Sequence, residues 1–480
     1  MNHKITICFL LMPMFVFAQT AATSDTIVSS SPAQEIAVDK PKLNNFNLNL
    51  NLLARGEIRD GGFPNDPNAE NPTDRSAFVF GRGRLTLGYN RQHSADCERP
   101  LFETKISLQY VGVWGQESTN TFNLYEAWAR LNSKQGLFLQ FGRLALAYDD
   151  ERVVGPNDWT MAGNTHDALR LGYEGRGHKL HILGAYNQNL ANMNVGTTFF
   201  SHGAIPYKTM QMLWYHYDVP VFPLSFSALG MNIGMQGGEK GVDEHMEWQQ
   251  MLGGYLKLGS DSPMQYPYTP DNAPEFSWMI EGSYYHQLGR NEYHAKINAF
   301  MASAKATIKP SHLYGFELGY DYLSGDDYVA VLFPNTIGLP YHAVIKGFNP
   351  VFGSHHKFYG AMDFFYVSTF VNDFSPGLQN AYFGAFVNPV KGLNIKTSYH
   401  YMAVTTDLND RNGPLNKTLG HMAEVELSYQ IIKEVKLSAG FTYMGGTETM
   451  ARLKRASSDG RMYWGWLSIV ATPTLVKVKW

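Results

Sequence analysis

Cysteine is almost absent from this chain: only Cys8 and Cys97 occur among its 480 residues. Cys8 lies within the apolar run Ile5–Phe17, which follows Lys4 and precedes the small residue Ala18. A short positive start, an apolar run and a small-residue cleavage position are typical of a secretory signal peptide. Removal of this segment would leave Cys97 as the sole thiol, which excludes an intramolecular disulfide framework.

Long apolar runs are missing too. After the predicted signal peptide no stretch approaches the roughly 18 apolar residues that a membrane-spanning helix needs. Charged residues make up only 17% of the chain, whereas aromatic residues reach 14% and there are 45 glycines. This composition is typical of many short strands joined by tight turns.

Recognisable catalytic motifs are also lacking. The sequence contains no GxSxG, no HExxH and no phosphate-binding loop. Without Lys4 the chain has 38 basic residues (39 − 1) against 42 acidic ones, a net charge near −4 that gives no indication of a nucleic-acid partner. We therefore predict a protein that is not an enzyme and that holds no cofactor and no metal ion.

What the sequence does contain, from Leu43 onward, is one segment after another of alternating apolar and polar residues. In Ser76–Tyr89 one phase is apolar, while the other carries Arg82 and Arg84. Alternate side chains of a strand lie on opposite faces, and about 9–11 residues cross a bilayer as a tilted strand. The pattern predicts an all-β fold, a transmembrane antiparallel up-and-down barrel of the bacterial outer-membrane type, with apolar residues facing lipid.

The strand count depends on one ambiguous segment. Nineteen segments alternate, but single-chain bacterial barrels have an even number of strands. Placing Lys357–Ser368 within one long external loop, Gly325–Leu378, restores a rhythm of short turns on one side and longer loops on the other. The sequence therefore predicts about 18 strands.

The sequence also predicts the roles of the two ends of the chain. Residues 1–18 form the signal peptide, 19–42 form a flexible periplasmic leader rich in Ser, Thr, Ala and Pro, and 43–480 form the barrel. Met462–Val470 is the predicted closing strand. The extension beyond Pro473 either prolongs that strand or forms a periplasmic tail.

Basic residues concentrate in the first six predicted strands. Of 17 arginines in the chain, 12 fall between Arg55 and Arg176. The polar phase points to the lumen, and its basic members are Arg55, Arg59, Arg82, Arg84, Lys105, Arg130 and Arg170, interleaved with Glu57, Glu103, Glu126 and Glu174.

Guanidinium groups in a pore attract carboxylates and hold them bidentately, so this distribution favours an anion-selective lumen. The alternative is that these arginines and glutamates pair with each other and merely fill the interior. Arg143 belongs to the opposite phase of its strand, so it reaches the lumen only if a bulge intervenes.

A family resemblance appears in Phe141–Tyr173, where FGRLALAYDDERVVGPNDW is followed by HDALRLGYE. Together with Tyr320–Asp327 and Phe352–Phe365, this series of blocks resembles the alginate-export family of outer-membrane barrels. The resemblance implies an 18-stranded barrel with an electropositive lumen that passes an anionic uronate polymer. It also implies that Arg143, Asp150 and Arg152 belong to the constriction, with Arg170 on the following strand.

These observations predict an outer-membrane channel for passive passage of anionic sugars, uronate oligo- or polysaccharides or organic acids. The expected partners are outer-membrane lipid, the anionic solute and the barrel-assembly machinery of a Gram-negative bacterium. The alternative is a structural or adhesive barrel whose lumen is plugged by its own loops and which transports nothing.

Overall fold

A computed structural model of the chain describes residues 42–61, 75–116, 120–189, 199–200, 207–260, 276–326, 344–363, 375–410, 413–454 and 460–480. They form a closed antiparallel barrel of 18 strands, as predicted. The predicted signal peptide, and the leader except for its last residue, lie outside the described residues.

The barrel strands follow the alternating segments of the sequence. Their bounds are β1 Asn44–Asp60, β2 Arg75–Gln92, β3 Pro100–Val113, β4 Thr121–Asn132, β5 Leu137–Leu144, β6 His166–Gly175, β7 His178–Tyr186, β8 Thr209–Asp218, β9 Leu224–Gly237, β10 His245–Gly259, β11 Ser277–Arg290, β12 Lys296–Ser311, β13 Tyr314–Leu323, β14 Leu378–Val387, β15 Leu393–Ala403, β16 Thr418–Ile432, β17 Val435–Gly446 and β18 in two parts, Arg461–Ala471 and Thr474–Lys479.

Shorter elements lie in the loops. Val344–Ile345 runs parallel to the start of β12, and Asn409–Asp410 pairs with Gly413–Pro414. His355–Lys357 is a single 3₁₀ turn, and Glu448–Lys454 is a two-turn α-helix. Within the described ranges, no helix has the length and apolar character to cross a membrane.

Closure of the barrel uses both parts of β18. The first part pairs with β1 from Tyr463 opposite Asp60 to Ala471 opposite Leu52. Pro473 interrupts this ladder because proline has no N–H to donate. The second part then resumes pairing with β1 as far as Lys479. The extension beyond Pro473 therefore prolongs the closing strand rather than forming a tail.

The two faces of the wall differ as the alternation predicts. On β1, Ile58 is 55% exposed on the outer face, whereas its neighbour Glu57 is only 3% exposed inside. The same contrast recurs around the wall. Exposed apolar side chains on its outer face include Leu131, Leu137, Phe141, Leu169, Leu171, Ile182, Leu213, Leu318, Phe383, Phe441 and Leu467.

Part of the predicted external loop folds into the lumen. Val154 and Phe352 form a bridge between two infolded segments, and the Ala361 N–H donates to Glu424 on β16 at 2.6 Å. The long external connection Gly325–Leu378 therefore reaches into the lumen with its middle section, as its length allows. Described residues of Lys357–Ser368 add no strand to the barrel wall, so the count of 18 holds.

Methionine fills much of the space between this infolded chain and the wall. Met212, Met231 and Met251 face one another across β8–β10, and Met422, Met444 and Met462 do so across β16–β18. All six are almost completely buried. Unbranched, polarisable methionine side chains adapt to irregular gaps, which suits a seam between a regular barrel and an irregular loop.

Candidate functional site

The connection between β5 and β6, residues 145–165, crosses the interior of the barrel and is called here the crossing loop. One of its anchors is Asp149, which accepts hydrogen bonds from Trp214 Nε1 at 2.9 Å, from Tyr285 Oη at 3.0 Å and from the Ser227 hydroxyl. These donors lie on β8, β11 and β9. Asp149 has φ +55°, a left-handed conformation that the three hydrogen bonds hold in place.

Arg152 ties the same stretch of the loop to a more distant part of the wall. Its Nε donates to Asp150 Oδ2 at 3.0 Å, and its Nη2 lies 2.8 Å from Asp321 Oδ1 on β13. The guanidinium also lies 4.1 Å from the Phe358 ring centroid. Burial raises the pKa of the Asp150 carboxyl, although the charge of Arg152 opposes this shift.

The far end of the crossing loop binds β1–β3 on the other side of the lumen. The Asp158 carboxylate accepts hydrogen bonds from both Arg82 and Arg84 on β2. The Trp159 carbonyl accepts from Arg55 Nη1 at 2.9 Å, and the guanidinium of Arg55 stacks 3.9 Å from the Trp159 ring centroid. The loop thus spans the lumen from β8–β13 to β1–β3.

The second infolded segment, residues 344–363, locks onto the crossing loop and is called the inner loop. The Ser354 hydroxyl donates to Glu151 Oε2 at 2.7 Å and accepts from the Asn157 N–H at 3.0 Å. The His356 ring stacks on the Trp159 ring with centroids 3.8 Å apart. The two loops therefore behave as one folded unit inside the barrel.

The unit leaves a cavity of about 410 Å³ against the wall of β11–β18. Charged side chains of both signs line it. They are Asp150, Glu281, Glu317, Asp321, Glu424 and Glu426, with Arg152, Lys305, Lys357 and Lys396, and with His356 and His400 between them. Two of the lysines form ion pairs with carboxylates of other wall strands, Lys305 with Glu281 at 2.7 Å and Lys396 with Glu317 at 2.9 Å.

The predicted pore-lining residues are distributed around the interior. Asp150 and Arg152 line the central cavity, while Arg55 and Arg59 border a separate space of about 430 Å³ beside Trp159. The remaining inward-facing residues each have a partner close by. Lys105 pairs with Glu126, Arg130 with Glu174 and Glu103, Arg170 with Gln140 and Tyr148, and Arg82 and Arg84 with Asp158.

Arg143 is the exception, because it faces outward. The pairing of β4 with β5 runs without a register shift through Arg143 opposite Ala127, so no bulge turns this side chain inward. It shares the outer face with Phe141 and makes a bidentate ion pair with Asp167, at 2.9 and 2.7 Å. The prediction that Arg143 lines the pore is wrong, because strand alternation overrides the family resemblance at this position.

The charged lining of β11–β16 was missed as a site. Its signal was present in the sequence, because Lys396, Glu424 and Glu426 occupy the polar phase of their strands. Because arginine is concentrated in the first six strands, the predicted pore-lining residues lie mainly on the opposite wall. Across the described ranges, no group of histidine, cysteine or carboxylate side chains is arranged to hold a metal ion.

Comparison with known proteins identifies the fold. No protein-family model and no curated protein matches the sequence. Pseudomonas aeruginosa OpdL matches with a TM-score of 0.55 and 14% identity, over 90% of this chain and 99% of OpdL. P. aeruginosa OccK2 (OpdF) in complex with glucuronate matches with a TM-score of 0.55 and 12% identity, over 90% of this chain and 97% of OccK2. P. aeruginosa OpdK with vanillate matches with a TM-score of 0.53 and 9% identity, over 89% of this chain and 98% of OpdK.

These likenesses establish an 18-strand barrel of the outer-membrane porin type. The specific resemblance to the alginate-export family finds no support. The barrel fold and the apolar outer face together support a location in the outer membrane.

Proposed function

We propose that this protein is an outer-membrane channel for small carboxylated solutes, such as sugar acids and organic acids. The observation that carries the proposal is the infolding of the crossing loop and inner loop, which leave a cavity of about 410 Å³ lined by fixed charges against β11–β18. Cavities of ~300–1,000 Å³ suit small molecules. A uronate polymer would need both infolded loops to leave the lumen, so the proposal favours monomers over polysaccharides.

Cations in the cavity offer partners to a solute carboxylate, within a lining that contains six carboxylates and four basic side chains. Arg152, Lys305 and Lys396 reach the cavity, and each is already bonded to a wall carboxylate. A solute carboxylate can exchange with a wall carboxylate at these cations, while the carboxylates released accept hydrogen bonds from solute hydroxyls. Two structures with this fold hold carboxylated molecules, glucuronate in OccK2 and vanillate in OpdK.

The second candidate function is a structural barrel with a plugged lumen. It is favoured by the interlocking of the crossing loop and inner loop through Ser354, Glu151 and Lys357. In that case the cavity is a closed internal space rather than part of a pathway.

Liposome swelling tests the proposal and separates the two candidates. Proteoliposomes would be diluted into isotonic galacturonate, galactose or trigalacturonate. We expect galacturonate to enter faster than the neutral sugar of equal size, and the trimer to be excluded. Lys305→Gln with Lys396→Gln should reduce the preference for galacturonate, whereas Lys417→Gln in an exposed loop pair should not. No swelling with any solute would favour the plugged barrel.

A further inference from the structure

The contact between the crossing loop and β1–β3 has a marked polarity: the wall supplies donors and the loop supplies oxygen acceptors. Arg82 Nη1 donates to the Asp158 carbonyl at 3.1 Å, and Gln109 Nε2 donates to the Ala162 carbonyl at 3.0 Å. The bond from Arg55 to the Trp159 carbonyl has the same direction. A carboxylated, hydroxylated molecule presents the same kind of acceptors, so this wall could bind one in place of the loop.

Asp158 occupies the centre of this contact in the manner of a bound ligand. Arg82 Nη1 and Nη2 contact its two carboxylate oxygens at 3.1 and 3.3 Å, and Arg84 Nη2 contacts Oδ1 at 2.9 Å. The arginine side chains are only 3% and 12% exposed, whereas the Asp158 side chain is 47% exposed. The guanidiniums are therefore built into the wall, and the carboxylate is accessible to solvent.

The guanidiniums are held in position by other residues as well. Arg84 Nε donates to Gln109 Oε1 at 2.8 Å, and its guanidinium lies 3.5 Å from the Tyr125 ring centroid. Arg82 Nη2 reaches Asn51 Oδ1 at 3.4 Å. These contacts do not involve Asp158, so the paired arginines keep their orientation when that carboxylate leaves.

The tip of the crossing loop, residues 156–164, is held in its own fold by internal hydrogen bonds. The Asn164 N–H donates to the Pro156 carbonyl at 2.7 Å, which ties the two ends of the tip together. Within it, the Thr160 hydroxyl donates to the Asn157 carbonyl at 2.8 Å and accepts from the Gly163 N–H at 3.2 Å. These bonds do not involve the Asp158 side chain, so the tip stays compact when that side chain turns away from the wall.

We propose that Arg82 and Arg84 form a carboxylate-binding subsite that Asp158 occupies in this structure, and that carboxylated solutes bind there by displacing Asp158. This inference rests on the proposed function for its solute class. A tethered carboxylate competes at an effective concentration of about millimolar or higher. The subsite consequently binds solute carboxylates weakly in the native chain and more tightly when the Asp158 carboxylate is removed.

Asp158→Asn removes the competing charge and keeps the shape of the side chain. Galacturonate binding to the purified, folded barrel in detergent would be measured by titration calorimetry, with galactose as the neutral control. We expect Asp158→Asn to lower the galacturonate dissociation constant at least about tenfold. Adding Arg84→Gln should abolish that gain, and Asp407→Asn, which breaks an exposed loop pair with Lys417, should leave affinity unchanged.

Equal affinity in Asp158→Asn and the native protein would overturn the proposal, as would a gain that survives Arg84→Gln. A gain for galactose as large as that for galacturonate would also contradict it, because it would report an opened cavity rather than a carboxylate site. Should Arg84→Gln fail to fold, Arg84→Lys keeps the charge but loses bidentate geometry, and it should remove most of the gain. The assay needs no transport, so absent liposome swelling with an intact gain would contradict the channel function alone.

Discussion

Arg152 is the side chain on which the position of the crossing loop most depends. It is 4% exposed and joins Asp150 in the loop to Asp321 on β13. Removing one member of a buried ion pair leaves an uncompensated charge and costs about 3–5 kcal/mol. We expect Arg152→Gln to release this part of the loop, which would raise single-channel conductance and current noise. Unchanged conductance in a folded variant would contradict this role.

The outward position of Arg143 gives a matched control with its own expected result. Its ion pair with Asp167 is exposed, with side chains 37% and 49% accessible. Exposed pairs contribute only about 0–1 kcal/mol. Arg143→Gln should therefore leave conductance and ion selectivity as in the native channel. A changed reversal potential under a salt gradient would show that Arg143 does reach the pathway.

The arginines also show how far the sequence predicts the orientation of a single side chain. Strand alternation predicts that Arg55, Arg82 and Arg84 lie on one face, and all three contact the crossing loop. Alternation applied to Arg143 gave the outer face, and the family resemblance was misleading there. Whether an inward arginine meets water or a loop oxygen depends on the path of the crossing loop. That path is set by contacts distant in sequence, which no local pattern encodes.

At the scale of elements, Ser354 is the contact that joins the two infolded loops. Its hydroxyl accepts from the Asn157 N–H and donates to Glu151 Oε2. Ser354→Ala leaves a buried N–H without its acceptor, at a cost of about 1–3 kcal/mol. Amide hydrogen exchange should become faster in both loops together. Faster exchange in the inner loop alone would mean that the loops are not coupled.

The inner loop should also respond to pH. Burial lowers the pKa of His355 to about 4, despite opposing contributions from the Pro350 carbonyl and Asp363. Its ordinary value is near 6.5, so protonation favours the released loop. The stabilisation from neutral His355 is complete above pH ~6.5 and is lost as the pH falls toward ~4.

Hydrogen exchange of the inner loop as a function of pH, corrected for its intrinsic rate, measures this effect. We expect protection to decrease by up to about 2–3 kcal/mol between pH 6.5 and 4. His355→Gln should flatten that part of the profile, whereas His294→Gln in an exposed loop should leave it unchanged. A His355→Gln profile identical to the native one would assign the pH response to other groups.

For the whole molecule, closure depends on the last residues of the chain. Thr474–Lys479 supplies the second part of β18 and pairs with β1 from Asn45 to Asn49. Deleting residues 474–480 leaves the start of β1 as an open edge, which promotes association with other chains. We expect loss of the compact, heat-modifiable band on electrophoresis, and alanine at Leu475 alone should preserve it. Normal heat-modifiable migration of the deletion variant would contradict this role.

The barrel could be predicted from sequence because each strand repeats the same local rule. Apolar and polar positions alternate, and the short turns fix the order of the strands, which together give the fold and its 18 strands. The contacts that the infolded loops make could not be predicted in this way. Arg152 meets Asp321, and Asn157 meets Ser354, across more than a hundred residues of chain. Such contacts follow from closure of the barrel, which brings remote segments into one lumen.

The most direct test of the account is single-channel current through the native barrel in a planar bilayer, recorded with and without galacturonate. We predict a small, discrete conductance that galacturonate reduces reversibly, more than galactose does at the same concentration. Folded, heat-modifiable protein that inserts but carries no current would contradict the central claim that the crossing loop narrows a pathway, and would indicate that the two loops seal the barrel.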